Sequence, residues 1–306
     1  MQISGQDLQR HVREESISWY IAWQQPVLDF LSSWVSYATS LIFSHPLDTL
    51  RTRWQTLGQP PMTSIRGDGI RSLYVGFTTP LIANGPLVGV VFATNEAAKR
   101  VLASRHTGEL SMEEIAMAGG FAGLSVSIVQ CPFTVVRMHQ QNSGSRGRVR
   151  LSARQVVRRF SEGEGIFRGL YRGWTLEAWT NCTGRMGYFA FYEAAKRTWL
   201  ANEPSKELPL SVRICCAMLT SVFSWATIFP IDIVKNKIQA DGFTLEAKAY
   251  RGFSHCVRST YDSYGLRGFW RGYPITVLRS SIVSGISLPL YDHLRDLHRC
   301  VWGPRL

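Results

Sequence analysis

Charged side chains recur at fixed distances from a proline three times in this chain. Each copy has the proline, an acid at +2, a base at +5 and a glutamine at +9, except that threonine replaces the acid in the second copy. The three copies are Pro46, Asp48, Arg51 and Gln55; Pro132, Thr134, Arg137 and Gln141; and Pro230, Asp232, Lys235 and Gln239. Ion pairing is the chemistry that these residues offer. Because the prolines lie 86 and 98 residues apart, we interpret the pattern as an internal triplication.

Two further elements follow each copy in the same order. The first is a turn bounded by glycines, and the second is an acid with a base three residues later, on one face of a helix. The turns are residues 69–76, 165–173 and 265–272, and the acid–base pairs are Glu96 and Lys99, Glu193 and Lys196, and Asp292 and Arg295. We therefore divide the chain into a polar segment that we expect to be loosely ordered, residues 1–25, and three repeats, residues 26–104, 111–201 and 208–300.

Long apolar segments have to position these charges. Each repeat contains two stretches long enough to cross a bilayer as helices, and the first of the two ends in the proline motif. We predict an all-α membrane protein with six spanning helices in three pseudo-symmetric repeats, and we expect each proline to kink its helix. The small residues of the segment 119–123 predict a face for close helix packing. An even number of spans places both chain ends on the same side of the membrane.

The composition agrees with a membrane protein whose helices meet lipid on one side and water on the other. The net charge is +12, and the chain contains ten Trp, eleven Tyr and fifteen Phe, which suit membrane interfaces. The mean hydropathy is near zero, as expected if the inner helix faces are polar. The six cysteines show no zinc-like spacing, so we expect buried thiols.

Other classes of function fit the sequence poorly. A basic chain can bind nucleic acid, but here the arginines concentrate in loops between spanning segments, and no soluble basic face results. The basic loops follow the first helix of each repeat and belong on the more negative side of the membrane. The histidines form neither a metal-binding nor a catalytic spacing. We therefore predict no enzyme, no metal, no cofactor and no nucleic-acid partner.

The nine motif sites, in their order, resemble the mitochondrial carrier family over residues 26–300. The resemblance implies six tilted helices around a pseudo-threefold axis, short helices on the matrix side, and a central cavity that opens alternately to cytosol and matrix. It further implies a monomer that transports a small solute across the inner mitochondrial membrane, with both termini toward the intermembrane space. The alternative is a carrier fold that no longer transports and serves as a scaffold or proton-leak regulator.

The resemblance assigns the two sets of charges to two gates. The residues after the prolines form the matrix gate, in which Asp48 meets Arg137 and Asp232 meets Arg51, with the three glutamines bracing the pairs. Lys235 then lacks an acid, because Thr134 stands at that position, and Thr134→Asp is expected to add a third pair and slow transport. The cytosolic gate pairs Glu96 with Lys196, Glu193 with Arg295, and Asp292 with Lys99. Each set is expected to form in one state and break in the other.

The glycine-bounded turns resemble the cardiolipin sites of the family, because helix N-termini present free N–H groups to phosphate. The residues assigned to these sites are Gly69, Gly76, Gly165, Arg172, Gly173, Gly265, Arg271 and Gly272.

The resemblance places the solute on the second helix of each repeat, near the bilayer midplane. The corresponding residues are Ala83, Asn84, Glu177, Thr180, Asn181, Arg185 and Arg279. The two arginines suit a carboxylate, and Trp174 and Trp179 are candidates for a quaternary ammonium. The chain is most similar to the carnitine/acylcarnitine and amino acid branch, although Thr180 and Asn181 replace its usual basic–acidic pair. We expect an amino acid, a carnitine-like compound or another carboxylate, moved by exchange.

Overall fold

The computed structural model describes residues 5–104, 111–145, 149–202, 209–244 and 246–302. Ten α-helices and two 3₁₀ turns, with no strand, make up this part of the chain. The helices are α1 (Gly5–Leu57), α2 (Pro61–Asp68), α3 (Thr78–Ala103), α4 (Met112–Ser143), α5 (Ala153–Glu162), α6 (Ile166–Leu170), α7 (Trp174–Asn202), α8 (Leu210–Gln239), α9 (Phe253–Tyr264) and α10 (Tyr273–Trp302). The all-α prediction is confirmed.

The six long helices form a closed ring. Each of α1, α3, α4, α7, α8 and α10 contacts the next one in chain order, and α10 returns to contact α1. The short helices and 3₁₀ turns connect the two long helices within each repeat. The ring encloses the charges that follow the three prolines, because those charges lie on the last turns of α1, α4 and α8.

Helix α1 begins earlier than the sequence led us to expect. Residues 5–25 are helical and continuous with the rest of α1, so the prediction of loose order there is wrong. No glycine or proline interrupts residues 6–25, and a helix can therefore extend backward from the apolar segment.

The three motif prolines lie inside helices that continue beyond them. Pro132 and Pro230 are internal to α4 and α8, and α1 runs through Pro46 to Leu57. A proline supplies no N–H to the helix, so each site lacks one backbone hydrogen bond. The helical continuation is what holds the acid, the base and the glutamine of each copy in one register.

Helices α4 and α7 approach each other closely along a face of glycines. A methyl group added at Gly123 would lie 2.3 Å from the carbonyl oxygen of Asn181, and one added at Gly119 would lie 2.5 Å from the ring of Phe189. These distances are far below van der Waals contact, so only glycine permits the approach. The predicted small-residue face is confirmed.

Three glycines begin the second long helix of each repeat in the same strained backbone conformation. Gly76, Gly173 and Gly272 have φ values of 82°, 70° and 84°, which side chains rarely adopt. An added Cβ would lie 3.1 Å from Gln140 for Gly76 and 3.3 Å from Gln239 for Gly173. The helix start of one repeat therefore packs against the first helix of the next repeat.

The outer surface of the ring is apolar. Among the residues that the structure describes, three helical segments are long and apolar enough to cross a membrane, namely Ile70–Ala103, Met112–Ser143 and Ser211–Gln239. Large side chains on several helices are exposed outward, among them Phe43, Phe121 and Phe223. The other long helices, α1, α7 and α10, contain more polar and charged residues along their length.

The expectation of buried thiols holds for only part of the described chain. Cys131 and Cys256 are buried free thiols, while Cys182 and Cys216 are partly exposed. Cys215 is exposed, so the prediction is wrong there. An apolar sequence around a cysteine indicates burial only when that helix face points inward, and Cys215 lies on the other face of α8.

We expect Gly123→Ala to lower the melting temperature of the purified protein by roughly 5 °C, because the added methyl group overlaps the backbone of α7. The matched control is Gly89→Ala in α3, where an added Cβ meets nothing within 4 Å. Alanine favours the helix there, so the melting temperature should stay the same or rise. Equal effects of the two substitutions would contradict the close packing of α4 on α7.

Candidate functional site

A cavity of ≈ 340 Å³ lies at the centre of the ring, and each of the six long helices contributes to its wall. Ala83, Asn84, Asn181, Arg185 and Arg279 line this cavity, as predicted for them. A second cavity of ≈ 220 Å³ adjoins it and shares Asn181 and Arg185.

Two other residues assigned to the solute site lie elsewhere. Thr180 lines the smaller cavity only. Glu177 is fully buried behind the wall, where it lines neither cavity. Glu177 is therefore placed to form an ion pair beneath the cavity, and it is not placed to contact a solute inside it.

The charges that follow the three prolines form two ion-paired clusters, Asp48 with Arg137 and Arg51 with Asp232 and Lys235, which we call together the proline network. An ion pair joins Arg51 of α1 to Asp232 of α8. Arg137 Nη1 of α4 lies 3.8 Å from Asp48 Oδ2 of α1. Both predicted inter-repeat pairs are thus present, and both connect helices that belong to different repeats.

Lys235 has two acidic partners, which the sequence did not lead us to expect. Its Nζ lies 2.9 Å from Asp232 Oδ1 on its own helix and 3.1 Å from Glu177 Oε2 on α7. Thr134 lines the cavity and contributes no charge. Residue 134 indeed supplies no acid, but the prediction that Lys235 therefore lacks an acidic partner is wrong, because Asp232 and Glu177 both pair with it.

The Glu177 carboxylate is held by three amide groups as well as by Lys235. Gln130 Nε2 donates to its Oε1 at 2.7 Å, Asn181 Nδ2 donates to its Oε1 at 3.1 Å, and Gln239 Nε2 donates to its Oε2 at 3.0 Å. These four donors compensate the cost of burying the negative charge of Glu177.

The three motif glutamines differ in what they contact. Gln239 donates to Glu177 directly. Gln55 accepts from Asn236 Nδ2 at 2.8 Å, and the same Nδ2 lies 3.0 Å from Asp232 Oδ2. Gln141 instead donates to Thr49 Oγ1 at 3.2 Å. One glutamine therefore braces an ion pair directly, one does so through Asn236, and one holds a neighbouring helix.

The two arginines predicted to bind solute differ in their pairing. Arg279 Nε lies 2.6 Å from Asp48 Oδ1. The negative charge of Asp48 is therefore shared between Arg279 and Arg137. Arg185 forms no ion pair within the described residues, and its Nε is buried without a hydrogen-bond partner. The amide nitrogen of Asn84, which also lines the cavity, is likewise buried and unpartnered. Arg185 and Asn84 thus present unused donors to the cavity.

The charges in and beneath the cavity do not balance. Five cations stand against three carboxylates: Arg51, Arg137, Arg185, Lys235 and Arg279 against Asp48, Glu177 and Asp232. An excess of positive charge in a partly enclosed site attracts anionic groups. The arrangement suits binding of a carboxylate and contains no nucleophile with an adjacent base.

The acids and bases at the opposite end of the ring pair within their own repeats. We call this set the terminal network (Glu96, Lys99, Glu193, Lys196, Asp292 and Arg295). Lys99 lies 3.3 Å from Glu96, Lys196 lies 3.6 Å from Glu193, and Asp292 pairs with Arg213 of α8. The three predicted inter-repeat pairs are not formed among the described residues. In this structure the proline network is therefore paired between repeats, and the terminal network is paired within repeats.

The basic residues at two of the glycine-bounded turns differ in their surroundings. Arg172 donates to Glu164 Oε1 at 2.6 Å and to the carbonyl oxygen of Gly242 at 2.6 Å. Burial raises the pKa of Glu164, but the hydrogen bonds from Arg172 and Lys248 outweigh it and hold this pKa below its ordinary value. The guanidinium of Arg271 lies 3.6 Å over the ring of Tyr264. The charge of Arg172 is therefore compensated inside the protein, whereas the ring contact does not neutralise the charge of Arg271.

The aromatic residues around the cavity are not those named from the sequence. Trp174 donates to Ser127 Oγ at 3.1 Å outside the cavity, and Trp179 is 45% exposed. Trp225 lines both cavities, and the guanidinium of Arg51 lies 4.8 Å over its ring. Trp225 lies five residues before Pro230, and the sequence pattern did not indicate that its side chain would face the cavity.

Comparison with known proteins agrees with the threefold architecture. A family model described as mitochondrial carrier protein matches the chain three times, over residues 22–106, 108–203 and 206–300. The chain is 31% identical over 278 residues to mitochondrial substrate carrier family protein S of Dictyostelium discoideum, covering 86% of this chain and 95% of that protein.

Two further relatives have names that include a solute. The chain is 28% identical to a mitochondrial basic amino acids transporter of Homo sapiens, over 83% of this chain and 84% of that protein. It is 24% identical to a mitochondrial carnitine/acylcarnitine carrier-like protein of Arabidopsis thaliana, over 88% of this chain and 97% of that protein.

We expect Asp48→Asn to lower the melting temperature by roughly 10 °C, because it leaves Arg137 and Arg279 without their carboxylate at a cost of about 3–5 kcal/mol. The control is Glu96→Gln, which removes an exposed pair worth less than about 1 kcal/mol. Thermal unfolding of both variants in detergent provides the measurement. A small effect at Asp48 would show that the proline network does not hold the ring together.

Proposed function

The chain belongs to the mitochondrial carrier family of multi-pass inner-membrane solute transporters, and we propose that its solute has a carboxylate group. Within that class the candidates are an amino acid, a carnitine-like compound or another small carboxylate. The proposal concerns the solute and the residues that bind it.

The proposal rests on the position and the pairing of Arg185. It is a cavity-lining cation without an acidic partner in the described part of the chain, and its buried Nε has an unused hydrogen. A guanidinium binds a carboxylate through two parallel hydrogen bonds, with more specificity than an ammonium provides. Asn84 lies across the same cavity and offers a second donor to the solute.

The charge balance argues against a solute that is only cationic. Positive groups outnumber carboxylates in and beneath the cavity, and Asp48, Asp232 and Glu177 already have cationic partners. An ammonium on a zwitterionic solute would therefore have to contact an aromatic ring. Trp225 and Tyr37 both line the cavity, and aromatic faces attract cations.

The two networks support the proposal of alternating access. In this state the proline network is paired and the terminal network is not paired between repeats. We assign the proline network to the matrix side, so that the solute enters from the cytosolic side and both termini face the intermembrane space. Reversal requires the proline network to break and the terminal network to form across repeats, which keeps the two states close in energy.

Cardiolipin binding belongs to the same proposal, with a monomer as the transporting unit. Arg172 is paired with Glu164, whereas Arg271 keeps its charge beside the Tyr264 ring. The lipid phosphates would therefore bind backbone N–H groups next to Gly69, Gly165 and Gly265, where φ is positive, and Arg271 would add its charge at the third site.

We expect the protein in liposomes to exchange at least one member of a panel of amino acids, carnitine compounds and dicarboxylates. Arg185→Ala should reduce uptake of that solute about 100-fold, because it removes a charge-assisted contact worth about 3 kcal/mol. Thermal stabilisation by the same solute should disappear in the variant, since a ligand stabilises only the state that binds it.

The matched control is Arg158→Gln on α5, which removes an arginine that lies outside the cavity and pairs with Glu162. Its uptake should equal that of the unchanged protein. If the folded protein transports and binds no member of the panel, the carboxylate proposal fails and the non-transporting alternative gains support. If the Arg185→Ala variant takes up the solute as fast as the unchanged protein, Arg185 does not bind the solute and that part of the proposal is wrong.

A further inference from the structure

An acid occurs at one unusual position in the second repeat only. The residue four places after the helix-starting glycine is Pro80 in the first repeat, Glu177 in the second and Thr276 in the third. The second repeat is also the one in which the acid after the motif proline is missing, because Thr134 stands there. The second repeat therefore lacks the motif acid at residue 134 but has an additional acid, Glu177, which the first and third repeats lack.

The additional acid contacts the base that the missing one would have paired. Glu177 Oε2 lies 3.1 Å from Lys235 Nζ. Both side chains are almost completely buried, with exposures of 0% and 9%. A lysine in such a position needs a carboxylate partner, because an unpaired buried charge is costly.

Glu177 also connects the helices that the missing pair would have connected. An acid at residue 134 would have joined α4 to α8 through Lys235. Glu177 lies on α7, accepts from Gln130 of α4, and contacts both Lys235 and Gln239 of α8. The boundary between the second and third repeats is therefore closed by a carboxylate one helix away from the motif position.

We propose that Glu177 is a gate residue that takes the place of the acid missing at Thr134. The inference rests on the proposed alternating access, since a gate must open and close. When the matrix side opens, Lys235 has to leave Glu177. The amides of Gln130 and Asn181 belong to α4 and α7, within the same repeat as Glu177, and can remain on the carboxylate while α8 moves away.

Asn181 links this gate to the solute site. Its side chain lines the central cavity, and its Nδ2 donates to Glu177 Oε1 at 3.1 Å and to the Glu177 carbonyl oxygen at 3.0 Å. A solute that engages Arg185 lies one helical turn from this amide. Binding in the cavity can therefore act on the contact that keeps the matrix side closed.

The test combines Glu177→Gln with Thr134→Asp. We expect Glu177→Gln to lower the melting temperature by roughly 5 °C, since Lys235 loses an inter-helix partner. Thr134→Asp should recover most of that loss in the Glu177→Gln background. In the unchanged protein it should give no increase, because Lys235 already has two carboxylates. The matched control is Glu162→Gln, which removes an exposed acid on α5 and should leave the melting temperature unchanged.

A second readout separates a gate from a residue that only stabilises the fold. Liposomes loaded with the solute are diluted into buffer without solute, and efflux is compared with exchange. Glu177→Gln should raise the ratio of efflux to exchange several-fold, and Thr134→Asp should return it toward the original value. An unchanged ratio in a folded Glu177→Gln variant would contradict the gate.

The thermal experiment does not depend on transport. One result would be that Thr134→Asp stabilises the unchanged protein as much as it stabilises the Glu177→Gln variant. That result would refute the proposal that Glu177 replaces the acid missing at residue 134, whatever the protein transports. If the unchanged protein transports nothing while the thermal pattern holds, the proposed function fails and the compensating pair stands as a structural contact.

Discussion

Buried charges at the centre of a helical ring have to be paired, and the architecture of this protein depends on that constraint. An uncompensated ion in a poorly solvated site costs several kcal/mol, while a pair with good geometry roughly recovers the cost. Pairs of this kind add little net stability, but each one requires two particular helices to be neighbours. The proline network therefore specifies which helices are neighbours. Because each ion pair adds little net stability, breaking one pair and forming another costs little free energy.

The same ring needs close backbone approach where the helices start and cross. Gly123 allows α4 to lie against the backbone of α7, and Gly76, Gly173 and Gly272 begin the second helices at positive φ. Gly123 and Gly173 in particular place the first turns of α7, with Glu177 and Asn181, beside α4 and α8. The polar contacts then become possible because the backbone has been placed within side-chain reach.

The sequence alone predicted the triplication and the spacing of the charges within one helix. The resemblance to the carrier family implied the Asp48–Arg137 and Arg51–Asp232 pairs, which are formed, and it implied the solute positions, of which Ala83, Asn84, Asn181, Arg185 and Arg279 line the cavity. Glu177 was assigned to the solute because it lies near that helix turn. Its contact with Lys235 depends on how a long side chain crosses from α8 to α7, and a linear pattern contains no such information.

Other differences have separate physical causes. The terminal network was predicted across repeats, but in this structure its acids pair within their own repeats, since the base three residues along the same helix or on the neighbouring α8 is closer. Arg172 was assigned to lipid from its position beside a glycine, whereas a buried Glu164 draws it inward. Cys215 was predicted to be buried from an apolar neighbourhood, which for a membrane protein also describes the outer surface. In each case the local pattern is correct and the direction of the side chain decides the outcome.

The central claim is that Glu177 and Lys235 act as one ion pair across the boundary between the second and third repeats. A double-mutant cycle with Glu177→Gln and Lys235→Gln, read by thermal unfolding, tests it most directly. The account predicts that the double variant unfolds near the temperature of the less stable single variant, because either substitution alone already breaks the pair. If the two decreases in melting temperature simply add, the residues are independent and the account is wrong.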